Sequence, residues 1–280
     1  PRMNAFAKTP LWKLWQNWFK QVYPDGTLLK EMNDPNVYFI QDGKKRIIQS
    51  MTALVSRFDP RTIIEVPLAE LSRYELGTPL AFANYSILEQ GGIYYLLDFD
   101  TLRPFENQTA FKALGYNPDE VIQIKEEDLE GYTIGTKITA KEQFPSGRIL
   151  SIGESKQLYF VKSDSFAPIL DKAIAKARFP QLAIDKAMGT ELEGLERLAP
   201  ISFPDAAIIG DKQSGKVYVI ESGRRRHITS EAVFNGLGYS WKNVTWVDQF
   251  ITDIHPLGEP VYLEIPVITG NQPSANKTPT

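Results

Sequence analysis

Val37-Tyr-Phe-Ile-Gln-Asp-Gly-Lys-Lys-Arg-Ile-Ile-Gln-Ser50 and Val217-Tyr-Val-Ile-Glu-Ser-Gly-Arg-Arg-Arg-His-Ile-Thr-Ser230 align position for position without a gap. Each reads as an apolar, β-branched strand, a tight glycine turn, a basic return strand, and a serine placed to cap a helix. A second copy begins at Ile93-Tyr-Tyr-Leu-Leu-Asp98 and reaches Arg103-Pro-Phe105 after a slightly longer turn. A more divergent copy is Leu158-Tyr-Phe-Val-Lys-Ser163. Tyr38, Tyr94, Tyr159 and Tyr218 mark the register, with a period close to sixty residues.

The rest of each unit repeats as well. Phe111-Lys-Ala-Leu-Gly-Tyr116 is echoed by Phe234-Asn-Gly-Leu-Gly-Tyr239, and a β-rich run follows each. Leu71-Ser-Arg-Tyr-Glu-Leu-Gly77 shares a frame with Leu129-Glu-Gly-Tyr-Thr-Ile-Gly135, and His255-Pro-Leu-Gly258 is a weaker echo. Gly26–Lys30 and Leu80–Asn84 read as leading strands, and Ile63–Val66 as a fourth strand. Such a unit is too small to bury its own apolar face, so neighbours must stack.

The predicted fold is therefore mainly β with short helices, built from four tandem α+β units at about 26–79, 80–138, 139–201 and 202–268. A propeller-like ring is favoured over an open array, because closure removes exposed sheet edges. The third unit departs most: Leu170–Arg178 reads as a longer helix, with no clear Leu-x-x-Tyr-x-Leu-Gly after it.

Residues 37–50, 93–138 and 217–258 resemble a tandem repeat of bacterial secreted and cell-surface proteins. The shared pattern runs from an apolar strand with its tyrosine through a glycine turn, a basic pair, isoleucine and serine to Gly-Tyr and Leu-x-x-Tyr-x-x-Gly. The resemblance implies an extracytoplasmic, non-catalytic module, often found beside wall-binding or wall-cutting domains.

Composition narrows the function classes. The chain has 280 residues, 34 acidic and 31 basic, for a net charge of −3, unlike the strongly basic footprint of a dedicated nucleic-acid binder. Cysteine is absent, which removes disulfides, thiolate metal sites and a cysteine nucleophile. Only His227 and His255 are present, and both fall on scaffold positions of the repeat, held elsewhere by Ile47 and by Tyr74 and Tyr132. No phosphate-binding glycine loop, nucleophile elbow or calcium loop occurs. No catalytic residue, metal or cofactor is expected, and no run of apolar residues is long enough to span a bilayer.

Three binding surfaces remain. Residues 1–25 read as a tryptophan-rich helix in which Trp12, Trp15, Trp18 and Phe19 would dock a partner chain or pack on the chain's own core. Lys44, Lys45, Arg46, Arg224, Arg225 and Arg226 would present cations to an anionic wall polymer, or simply keep two hairpins soluble. Trp241 and Trp246 would stack on sugar rings, although the alternation in Val244–Val247 places at least one in the core. Residues 269–280 read as a flexible tail. The expected function is a structural or protein-interaction scaffold outside the cytoplasm, with a protein partner or its own copies. The alternative is a glycan- or wall-polymer-binding module of a larger hydrolase.

Overall fold

The computed structural model describes residues 23–154 and 157–262. The tryptophan-rich segment with Trp12, Trp15, Trp18 and Phe19, and the tail from 269, lie outside the described residues. The remainder is mainly β with short helices, arranged as four separate sheets of four or five strands. None of its helices is long and apolar enough to cross a membrane.

Unit I contains β1 (Leu28–Glu31), β2 (Val37–Gln41), β3 (Lys44–Ile47), α1 (Met51–Arg57), β4 (Ile64–Val66), α2 (Leu68–Leu71) and β5 (Glu75–Leu76). Unit II has β6 (Ile87–Gln90), β7 (Ile93–Asp98), β8 (Thr101–Pro104), α3 (Gln108–Ala113), β9 (Ile122–Gln123) and β10 (Thr133–Ile134). Unit III has β11 (Arg148–Ile152), β12 (Gln157–Lys162), β13 (Ser165–Ile169), α4 (Lys172–Arg178), β14 (Ile184–Ala187) and β15 (Glu196–Arg197). Unit IV has β16 (Ile208–Asp211), β17 (Val217–Glu221), β18 (Arg224–His227), α5 (Glu231–Gly236), β19 (Thr245–Val247) and α6 (Gln249–Thr252).

One topology recurs. Three antiparallel strands form the centre, the strand after the helix pairs parallel with the first, and the closing segment pairs parallel with the third. In unit IV the closing segment is reduced to a bridge between Arg225 and Leu257. The chain then returns to the third strand at equivalent points, Ile48–Leu80, Phe105–Ile138, Ile169–Ile201 and Ile228–Val261.

Local chemistry explains the repetition. Asp42-Gly43 and Ser222-Gly223 have positive φ at both positions, the geometry that matches hairpin twist and that glycine adopts without a Cβ clash. Ser50, Asn107, Asp171 and Ser230 each accept a bond from a first-turn N–H of the following helix, capping donors that would otherwise be orphaned.

Four sequence expectations are corrected. Leu88 faces Tyr95 across the hairpin as Leu29 faces Tyr38, so Tyr95 rather than Tyr94 is the second marker, and the turn that follows is no longer than in unit I. The adjacent tyrosines concealed the slip, which matters because one residue moves a side chain to the opposite face. Tyr94 instead stacks on Phe111, 4.6 Å between centroids. Unit II leads with Ile87–Gln90, not Leu80–Asn84, since Leu80 bridges back to Ile48. The helix α4 has seven residues, the same as α1. Unit III also keeps the missing frame, as Leu192-Glu-Gly-Leu195, with leucine where Tyr74 and Tyr132 stand.

The units support one another. Phe234, Val233 and Leu237 of unit IV share a buried cluster with Leu29, Ile40 and Ile64 of unit I. Ile174 and Ala175 of unit III are buried with Ile209 and Ile220 of unit IV. Units I and II meet through Arg46 and Asp100, and units II and III through Asp98 and Lys162. Contacts thus run from I to II to III to IV and back to I.

Candidate functional site

Four of the six cations of the basic hairpins, Lys45, Arg46, Arg225 and Arg226, are held against partners within the fold. Arg46 Nε donates to the Thr78 carbonyl at 2.8 Å, while Nη1 reaches Gln41 Oε1 at 2.6 Å and Asp100 Oδ2 at 2.9 Å. At the equivalent place in unit IV, Arg226 Nε donates to the Glu259 carbonyl at 2.8 Å, Nη2 to Pro260, and Nη1 to Glu221. Once the register of unit II is set by Tyr95, Arg103 proves to be the third copy. Its Nε donates to the Thr136 carbonyl at 3.3 Å, and its head pairs with Glu142 at 2.7 Å, both side chains nearly buried. The closing segment has no long strand of its own, and these guanidinium bonds hold it against the third strand.

The glycine that ends the Leu-x-x-Tyr-x-x-Gly frame belongs to the same device. A Cβ at Gly77, Gly135 or Gly258 would come within 3.1–3.2 Å of the Cγ of Arg46, Arg103 or Arg226. Where the arginine is missing the glycine is missing too: unit III has Ala167 and Leu198 at the two places.

The middle cations cover the marker tyrosines. Lys45 Nζ lies 5.8 Å from the Tyr38 ring centre and donates to the Leu71 carbonyl at 3.0 Å. Arg225 lies 5.6 Å from the Tyr218 ring and pairs with Asp253 at 2.6 Å. Of the six hairpin cations, only Lys44 and Arg224 are exposed, and Arg224 Nη1 is 3.4 Å from the Leu257 carbonyl. The structure therefore does not gather the two triplets into one cationic face.

Both histidines have structural surroundings. His255 is 1% exposed; Nε2 accepts from the Phe203 N–H at 3.2 Å and Nδ1 lies 2.9 Å from the Gly223 carbonyl. A carbonyl can only accept, so the proton sits on Nδ1. Both nitrogens are thereby used in tying the III–IV connection to the unit IV turn. Burial, with weaker contributions from Arg178 and Arg225, holds its pKa below the ordinary histidine value against the raising effect of the Gly223 bond. His227 sits beside Tyr218, 5.6 Å between ring centres, and burial with nearby Lys216 lowers its pKa as well.

Neither Trp241 nor Trp246 enters the core; they are 46% and 42% exposed. Trp241 stacks on Phe234 at 4.2 Å. Trp246 lies over Gly210, where a Cβ would come 2.5 Å from the indole. Those two positions hold the Lys30–Glu65 ion pair in unit I. Val244 precedes the strand, and within Thr245–Val247 the pleat buries Val247 and turns Trp246 outward, as it turns Glu65 outward in unit I.

Sequence reasoning missed a cleft of about 860 Å³ at the junction of units II and III. Phe160, Ala167, Leu195, Leu198 and Ile201 lie along it, with Lys137, Lys141, Lys162 and Asp164 among its polar residues. The paired loss of arginine and glycine at 167 and 198 is the signal that would have located it.

No family model matches this chain, and no curated protein does. Among solved structures it is similar to the periplasmic assembly from the ESX-5 inner membrane complex, at 10% identity over 92% of this chain and 99% of that one, with a TM-score of 0.20. An intact ESX-5 inner membrane complex matches at 10% identity over 96% and 88% of the two chains, and an EccB3 dimer from the ESX-3 core complex at 10% over 84% and 98%, both with a TM-score of 0.20. Superposition at that level carries no argument about fold or function.

Proposed function

We propose that this chain is a non-enzymatic repeat module that acts outside the cytoplasm as a structural or protein-interaction scaffold, its four sheets closed into a propeller-like ring. The observation that carries this reading is the use of the groups that could do chemistry. The arginines are spent on backbone carbonyls and carboxylates, and the buried histidine has both nitrogens occupied. What is left is a rigid surface. The resemblance to bacterial surface repeats supports the extracytoplasmic placement, and Trp12, Trp15, Trp18 and Phe19 are the residues suited to joining the module to a partner or to further copies. In the native cells, chemical crosslinking of the full chain should yield a high-mass species. Deleting residues 1–22 should abolish that species while the repeat domain keeps its cooperative urea unfolding; a crosslinking pattern identical to that of the full chain removes the docking role.

A second reading, binding to wall glycan, is favoured by the two half-exposed indoles. Sedimentation with purified cell wall, compared between the native chain and Trp241→Ala/Trp246→Ala, decides it: equal retention of the two proteins excludes the indoles.

A further inference from the structure

In three units the space between the third strand and the closing segment is filled from within, by Arg46, Arg103 and Arg226. In unit III it is not. Ala167 stands at the arginine position and Leu198 at the glycine position, and the surface there opens into the cleft. The vacancy is not a seat for another guanidinium. Leu198 occupies the place that glycine leaves clear elsewhere. The residue before the hairpin turn, an acceptor in the other units as Gln41, Asp98 and Glu221, is Lys162 in unit III.

Charge around the cleft is uneven. Glu142 is neutralised by Arg103, and Asp98 by Lys162. Lys137 and Lys141 are both exposed, and neither has a carboxylate partner among the described residues. Asp164 is the one opposing charge on the rim without an ion pair among the described residues. An apolar floor under a polar rim is the anatomy of a small protein interface, and two uncompensated lysines select an anionic partner.

We propose that this cleft receives an extended segment of a partner protein, with a bulky apolar side chain on the floor formed by Phe160, Ala167, Leu195, Leu198 and Ile201 and carboxylates against Lys137 and Lys141. The proposal rests on the scaffold reading and adds to it a site and a partner chemistry.

The test uses the full chain as bait for a display library of random peptides, followed by titration of the best enriched peptide. Enriched sequences should combine a large apolar residue with aspartate or glutamate. Their affinity should fall at least about tenfold for A167R/L198G, which restores the internal arginine, and for K137E/K141E, which reverses the rim. The second variant changes only exposed side chains, so it decides the matter should the first fail to fold. Absence of enrichment, enrichment of basic sequences, or equal binding to K137E/K141E overturns the proposal. So does self-association of the native chain that K137E/K141E abolishes, because the occupant is then a second copy. If the crosslinked species persists in K137E/K141E while peptide binding is absent, the scaffold reading stands and the cleft assignment alone fails.

Discussion

Arg46 lies across Gly77 so closely that a β-carbon at position 77 would come within 3.1 Å of the arginine Cγ. The two residues are far apart in sequence, yet each explains the other. The arginine needs a residue without a side chain beneath it, and its guanidinium in turn adds a bond to the Thr78 carbonyl just beyond the closing strand. The same pairing recurs at Arg103 with Gly135 and Arg226 with Gly258.

Replacing Gly77 or Gly258 by alanine should destabilise the fold, because the stem of the arginine has to move away from the carbonyl it binds. The expected loss is about 1–3 kcal/mol, the usual range for overpacking, read from urea unfolding. A stability unchanged from the native chain would show that the stem adapts freely and that the clamp is loose.

Arg103→Ala should cost more, about 3–5 kcal/mol, because it leaves the Glu142 carboxylate in a nearly buried site without its cation. Adding Glu142→Gln should recover part of that loss, since the uncompensated charge is then gone. No recovery in the double variant would mean that the cost comes from the lost Thr136 and Pro145 carbonyl bonds instead.

Asp100 joins units I and II. Its carboxylate pairs with Arg46 at 2.9 Å and lies 3.9 Å from Arg57, whose side chain is 2% exposed and whose pKa burial lowers. Asp100→Asn should therefore destabilise by about 3 kcal/mol, at the low end for an uncompensated buried cation because Asp100 itself is partly exposed. Chemical denaturation checks this. A loss within error of zero would show that water already screens Arg57.

Stability should fall on mild acidification through His255. Burial depresses its pKa in the folded state below the ordinary 6.5, so the unfolded chain binds more protons. The penalty appears as pH drops below about 6.5 and grows until the folded-state pKa is reached. His255→Asn should have lower stability at neutral pH and a flatter melting profile between pH 7 and 5. An unaltered slope would assign the acid sensitivity to other groups, His227 first among them.

The sequence made visible whatever is written in local chemistry. The turn glycines Gly43 and Gly223 and the caps Ser50 and Ser230 act within a few residues, so pattern alone placed them. What failed depended on distant partners. Tyr94 and Tyr95 are equally good strand residues, and only Leu88 across the hairpin distinguishes them. That slip hid Arg103 from comparison with Arg46 and Arg226, and so hid the third clamp. Leu195 was passed over because the frame was sought by its tyrosine, whereas the position holds tyrosine, leucine or histidine in different units. The solvated appearance of the basic triplets misled for a related reason. Charge is legible in a sequence, but the carbonyls of Thr78, Thr136 and Glu259 that absorb it are not.

The proposed ring depends on unit IV sharing a buried apolar face with unit I. Hydrogen exchange with mass spectrometry on Phe234→Leu measures it directly. Phe234 lies in α5 but is buried with Leu29 and Ile40, so loosening it should speed exchange in β1 and β2 as much as in β17 and β18. Faster exchange confined to unit IV, with β1 and β2 as protected as in the native chain, would contradict a closed arrangement of mutually supporting sheets.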